Sequence, residues 1–199
     1  MAGKKGGTAG VYSWLSSLGG RELFVLWDRM DENEVRIRRA TARDVPAIVP
    51  LWQEMMDLHA ALEVQRFRPA ADGAEYWAEA VAGWLKDEHC CALVAEAGDR
   101  LLGYIIGWLR QPAPVFEPVV YGFVSDICVV PDCRRRGIGR RLFEALKAWF
   151  RERGASYVSM RVAVANPVSQ AFWRSVGCED YMDDMWCTLE QSSWGFDTL

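Results

Sequence analysis

Val124-Ser-Asp-Ile-Cys-Val-Val-Pro131-Asp-Cys-Arg134-Arg-Arg-Gly137-Ile-Gly139-Arg-Arg141-Leu142 reads as an apolar strand that runs into a glycine turn and then directly into a helix. Gly137 and Gly139 let the backbone turn sharply and approach a ligand closely. The N–H groups of the new helix's first turn have no carbonyl one turn behind them, so they point at an anion. Arg134, Arg135, Arg136, Arg140 and Arg141 surround the turn. The stretch is therefore a phosphate cradle. It is not the phosphate loop of nucleoside triphosphatases, which ends in Gly-Lys-Ser/Thr, and it lacks the third glycine of the dinucleotide fingerprint.

Charge supports one discrete ligand. The 199 residues carry a net charge of −4 at pH 7, and five positive charges fall within residues 134–141, leaving −9 for the rest of the chain. A nucleic-acid binder is more often basic across a whole face, and no aromatic platform is interleaved with these arginines, so no nucleic-acid partner is expected. A length of 199 residues suits one compact α/β domain with a real core.

The spacing Arg134-x-x-Gly137-x-Gly139 resembles the pyrophosphate-binding signature of the GNAT-type N-acetyltransferases, Arg/Gln-x-x-Gly-x-Gly/Ala, which opens a helix after the fourth strand of their fold. Further on, Asn166-Pro-Val-Ser-Gln-Ala-Phe172-Trp173-Arg-Ser-Val-Gly177-Cys178 resembles the family's second motif, Asn followed by Ala-Phe-Tyr-x-x-x-Gly-Phe. Two motifs in the right order make a strong resemblance. It implies an α/β (α+β) GNAT fold, a mixed central sheet of about six to seven strands flanked by about four helices in the order β-α-α-β-β-β-α-β-α-β.

Periodicity along the chain agrees with that order. Residues 1–33 are glycine-rich, then aromatic, and are expected to be an appended, partly flexible extension; residues 34–190 form the domain, and 191–199 a tail. Val35-Arg-Ile-Arg38 alternates as an edge strand, and Thr41-Ala-Arg-Asp44 resembles a capping box opening a helix. On that helix Val45, Ile48, Val49, Trp52, Met55, Met56 and His59 share a face. A second helix shows the same spacing at Tyr76, Trp77, Ala80, Val81, Trp84 and Leu85. Strands are expected at 92–96 and 101–109, joined by Gly98-Asp-Arg100 as a hairpin, then at 123–130 and 157–163, with a last strand or hairpin from Tyr181 to Leu189. Leu142, Phe143, Leu146, Trp149 and Phe150 form one stripe of the helix after the turn. Asn166 and Pro167 read as an N-cap and first helical residue, with Gly177 as terminator.

The resemblance implies acetyl-CoA as co-substrate and no metal. Its pyrophosphate would lie on the backbone N–H groups from Arg135 through Gly137, Ile138 and Gly139 to Arg140, and its pantetheine arm would add like a strand against the main chain of Ile127, Cys128 and Val129. Arg134, Arg135, Arg136 and Arg140 either reach a phosphate or form a solvated basic face. Asn166 either contacts the pantetheine or a water, or simply caps its helix. Ser169, Phe172 and Trp173 complete the second motif.

Transfer to an amine needs a lone pair, while an alkylammonium has a pKa of about 10.4, so a carboxylate or a water wired to one must help remove the proton. Asp126, alone in an apolar strand, is the candidate base; its other reading is a structural acceptor. The family commonly protonates the leaving thiolate with the tyrosine of its Phe-Tyr pair, but this chain has Trp173, an N–H donor that is not a useful acid. Tyr181, Tyr121, Ser169 or a water are substitutes, although a thiol of pKa about 8.5 leaves almost unassisted. His59 reads as a core or groove residue, and Cys128 as a buried thiol more than a nucleophile.

The expected activity is direct acetyl transfer from acetyl-CoA to a primary amine of a small molecule or peptide. The alternatives are a non-catalytic acyl-CoA-binding or regulatory module of the same fold, or an acyltransferase with another donor or acceptor. Glu54, Asp57, Glu63, Asp72 and Glu75 crowd the acceptor region and suit a cationic amine, offset by Arg66 and Arg68. The six cysteines have no metal-ligand spacing, and no run approaches a signal peptide or membrane span, so a cytoplasmic protein without membrane contact is expected. The aromatic N-terminal segment suggests a homodimer by analogy.

Overall fold

Residues 35–63 and 66–185 are described by a computed structural model of the chain. The expectations for residues 1–33, for the strand beyond residue 185 and for the 191–199 tail lie outside them. The described residues fall into two compact units, divided between Arg161 and Val162.

The first unit contains β1 (Arg36–Arg39), α1 (Val45–Leu62), α2 (Gly73–Trp84), β2 (Cys90–Ala97), β3 (Arg100–Arg110), β4 (Tyr121–Val129), α3 (Ile138–Glu152) and β5 (Val158–Met160). The sheet runs β1-β2-β3-β4-β5. Its first four strands are antiparallel neighbours, and β5 joins β4 in parallel, so the sheet is mixed as expected. Among the described residues the sheet has five strands, fewer than the six to seven expected. β5 stops at Met160 because its ladder with β4 ends at Val124↔Met160, just where β4 bulges. Residues 181–185 form no strand: Tyr181, Met182 and Met185 are 90%, 79% and 93% exposed, without the one-sided burial that fixes a strand.

The start of α1 is pinned electrostatically. Asp44 accepts from the Thr41 N–H at 2.7 Å and from its hydroxyl at 2.9 Å, while the Arg38 fork from β1 donates to both carboxylate oxygens at 2.8 Å. Arg38 holds the Asp44 carboxyl down to about 2 against the opposing effect of burial. The expected box is present, but it closes a single 3₁₀ turn, Ala42–Asp44, before the helix proper.

Two cores lie on the two faces of the sheet. On one, Val45, Ile48 and Leu51 of α1 and Trp77 and Val81 of α2 pack with Val94, Tyr104, Ile106 and Cys128. Tyr76, expected on that face, is 66% exposed, because it sits one residue, or about 100° of helix, from Trp77. On the other, α3 lays down Ile138, Leu142, Phe143, Leu146, Trp149 and Phe150, all buried. That helix approaches closely because the strands beneath it offer glycines: a Cβ on Gly107 would stand 2.7 Å from Leu146 and Phe150, and one on Gly122 2.5 Å from Phe150.

The second unit is built around α4 (Pro167–Ser175). The Asn166 side chain accepts from the Ser169 N–H at 3.0 Å, and Pro167 fills the first turn, where a missing N–H costs nothing. At the other end Gly177, at φ +89°, turns the chain so that the Cys178 N–H donates to the Trp173 carbonyl.

Candidate active site

The cradle seen in the sequence is formed by main-chain conformation. After Val129 a 3₁₀ turn at Pro131–Cys133, anchored by the fully buried Cys133, leads to an extended Arg134. Arg135 (φ +62°) and Gly137 (φ +77°) then both adopt the left-handed conformation. Gly137 is the N-cap of α3, and the first bond of the helical ladder runs from the Arg141 N–H to the Gly137 carbonyl at 2.9 Å. The amides of Ile138 and Gly139 precede that bond and have no carbonyl one turn behind them within the helix. A Cβ on Gly137 would meet nothing within 4 Å, so the turn faces open space. Ile138 is buried, whereas Arg135, Arg136 and Arg140 are exposed beside the turn. The helix dipole and these guanidiniums give the space a positive potential that suits a pyrophosphate.

Arg134 and Arg141 have other engagements. Arg134 donates through Nε to the Val129 carbonyl at 2.8 Å and through its terminal nitrogen to Glu54 of α1 at 2.6 Å, while Arg141 donates to the Val35 carbonyl. Glu54, counted in the sequence as part of an acidic acceptor region, is thereby paired.

β4 bulges beside this turn. Ile106 of β3 pairs with Asp126 and the next residue, Gly107, with Val124, which leaves Ser125 as the extra residue. The bulge restores Asp126 and Cys128 to the face of α1 and α2, opposite Ile106 and Tyr104. Val124 and the half-buried Ile127 and Val129 lie on the α3 face. Because β5 covers β4 only from Gly122 to Val124, the ladder on that side stops before the Ile127–Val129 main chain.

Burial pushes the Asp126 carboxyl above its ordinary range, partly opposed by the Ser125 hydroxyl. It also raises the Cys128 thiol to about 11, with Glu54 adding to the effect, so this sulfur is protonated at neutral pH and is a poor nucleophile. His59 stacks on Phe67 at 4.7 Å, its Nδ1 is buried without a partner, and burial lowers its pKa.

In the second unit Asn166 and Trp173 are buried, Ser169 and Phe172 half-buried, and the Phe172 and Trp173 rings meet edge to face at 5.0 Å. The Asn166 carbonyl oxygen is committed to the cap. Tyr181 follows α4 in irregular chain, 90% exposed.

Sequence reasoning missed Tyr104 and the Glu54–Arg134 link. Tyr104 carried a signal, since it is a polar-tipped residue in the run Leu101-Leu-Gly-Tyr-Ile-Ile-Gly107, whose alternation places it with Ile106. The Glu54–Arg134 link spans 80 positions and has no local pattern.

Residues 52–178 match the model of the Acetyltransferase (GNAT) family, and the chain belongs to that family. Among its relatives, the uncharacterised N-acetyltransferase YhfO of Bacillus subtilis is 27% identical over 152 residues, 73% of this chain and 91% of that protein. A mutant of the Bacillus halodurans protein BH1408 superposes with a TM-score of 0.71 at 23% identity, over 77% of this chain and 99% of that one. The aminoglycoside N-acetyltransferase AAC(6')-Iy, solved in complex with CoA, superposes with a TM-score of 0.56 at 19% identity, over 78% and 95%. These two structures show the fold alone. No helix among the described residues is long and apolar enough to cross a membrane.

Proposed function

We propose that the chain is an acetyl-CoA-dependent N-acetyltransferase that passes the acetyl group directly to a primary amine. The observation that carries this reading is the turn ahead of α3. Two left-handed positions, Arg135 and Gly137 with one residue between them, aim the first amides of a helix at open space beside a strand whose ladder stops short. The Ile138 and Gly139 amides, with Arg135, Arg136 and Arg140 around them, would hold the pyrophosphate, and the main chain of Ile127 and Val129 would receive the pantetheine. Acetyl-CoA supplies an activated thioester carbonyl.

Asp126 takes the amine proton. Its raised pKa makes it a stronger base than an ordinary carboxylate, closer to the value a base needs at neutral pH. The new C–N bond replaces the C–S bond, the amine proton ends on Asp126, and the leaving thiolate takes its proton from solvent, because its pKa of about 8.5 requires little help. Direct transfer is favoured by the protonated, buried Cys128. The proposed acceptor is a cationic amine, which suits the acidic side chains Asp57, Glu63, Asp72 and Glu75.

The test follows free-thiol release from acetyl-CoA with spermidine, an aminoglycoside, 2,4-diaminobutyrate and a lysine peptide. Turnover on one class, falling at least about tenfold in Asp126→Asn, is expected. Silence across the panel with coenzyme A still raising the melting temperature assigns the chain to binding alone or to another acyl donor. No thermal shift with coenzyme A sinks the reading.

A further inference from the structure

Tyr104 is fully buried on β3, packed edge-on against Trp77 at 6.0 Å. Its hydroxyl has no hydrogen-bond partner, a state shared among the buried side-chain polar atoms of the described residues only by His59 Nδ1. A buried hydroxyl left unpaired is destabilising, and phenylalanine fills nearly the same volume without that cost. Such a group in a native fold calls for an explanation, and a partner that arrives with the substrate is one.

The sheet register shows what that partner would touch. Tyr104 pairs with Cys128, and Ile106 with Asp126, so the phenol and the carboxyl are diagonal neighbours on the α1/α2 face. In an antiparallel pair such neighbours lie roughly 7–8 Å apart, within reach of a long side chain. They do not bond each other, yet the carboxyl is near enough for its charge to act on the phenol. Ile106, between them across the ladder, is aliphatic and offers neither a donor nor an acceptor.

We propose that Tyr104 is a positioning residue for the acceptor: its hydroxyl and the Asp126 carboxyl together hold the substrate's amine nitrogen. The assignment rests on the N-acetyltransferase reading. A primary ammonium has three N–H groups, of which Asp126 accepts one and Tyr104 Oη another, and the alkyl chain leaves along the remaining bond direction. Two protons leave the nitrogen on the way to the amide: one passes to Asp126 and frees the lone pair, the other is lost to solvent once the C–N bond has formed, and the leaving thiolate takes one from solvent. Tyr104 keeps its own throughout and serves as acceptor and anchor. Around Tyr104 the core is made by Trp77, Ile106, Cys128 and the aliphatic residues of α1 and α2.

Tyr104→Phe tests this in two independent measurements. In the ligand-free chain the variant is expected to melt at the same temperature or higher, because it deletes an unpaired buried hydroxyl. In steady-state kinetics with spermidine, 2,4-diaminobutyrate, an aminoglycoside and a lysine peptide, the KM of the amine that turns over is expected to rise about tenfold or more, with the KM for acetyl-CoA unchanged. A lower melting temperature of the free variant overturns the proposal, since it would show that the hydroxyl is already bonded in the fold. Unchanged amine KM and kcat in a variant of an active chain overturn it alone, whereas a wild-type chain that turns over none of these amines overturns it together with the reading on which it rests.

Discussion

The two faces of the central sheet are built to different rules. On the α3 face the strands present Gly107 and Gly122, and Leu146 and Phe150 come so close that no Cβ fits. On the α1/α2 face stand Tyr104, Asp126 and Cys128, a phenol without a partner, a carboxyl pushed up by burial and a thiol pushed up to about 11. One face is packed to completion; the other buries polar groups, among them a phenol with no partner in the fold. On the proposed function, stability is concentrated in the first and chemistry in the second, as expected where a functional site departs from the rules that stabilise its surroundings.

The contrast fails if the α3 face tolerates change. Phe150→Ala removes a fully buried ring that rests on Gly122 and is expected to cost about 3–5 kcal/mol, read as a fall in the denaturation midpoint. Gly122→Ala asks the reverse question. Its new Cβ would overlap the Phe150 ring, so the variant is expected to lose about 1–3 kcal/mol. Combined with Phe150→Leu it should recover part of that loss, giving a non-additive double-mutant cycle. Full additivity would show that the ring and the glycine are not in contact.

Gly137 stands apart from both faces. No atom lies near the Cβ it lacks, so Gly137→Ala costs only the left-handed conformation, about 1–2 kcal/mol. The methyl would project into the space assigned to the pyrophosphate. Coenzyme A is therefore expected to raise the melting temperature of the wild-type chain and to lose most of that effect in the variant. An equal shift in both would move the pyrophosphate elsewhere.

The helices and the turn were legible because their signals are local. The stripe from Leu142 to Phe150 has helical spacing, Arg134-x-x-Gly137-x-Gly139 names its own backbone geometry, and Asn166-Pro167 names its cap. The edges of the sheet were less legible. The apolar residues from Tyr157 to Ala163 look like a full strand, but strand length is set by the partner, and β4 bulges away after Val124. The bulge also decides which way Asp126 faces. Strict alternation allows Asp126 to be placed on a face only if the register is known, and Ser125 shifts it by one. Arg134 reads from sequence either as a phosphate ligand or as part of a solvated basic face, and its pairing with Glu54, distant in sequence, leaves no local signal.

The smallest expected effect is the most pointed test of the polar face. Asp126→Asn keeps the shape of the side chain and the neighbouring Ser125 hydroxyl but cannot ionise. Because burial raises the Asp126 pKa above its ordinary 3.8, the folded chain binds that proton more tightly than the unfolded chain does. The group's contribution to stability is therefore fully present below about pH 3.8 and is lost as pH rises through the raised value. The phenol and thiol beside it hold their protons throughout this window, since burial pushes both upward. Melting temperatures of wild type and Asp126→Asn should thus coincide near pH 4 and separate as pH rises, with the asparagine variant the more stable at neutral pH while its acetyl transfer falls. A variant less stable than wild type at neutral pH would mean that the Asp126 charge is paired within the fold, and the carboxyl would then belong with the Arg38–Asp44 pair, as a structural ion, and not with the reaction.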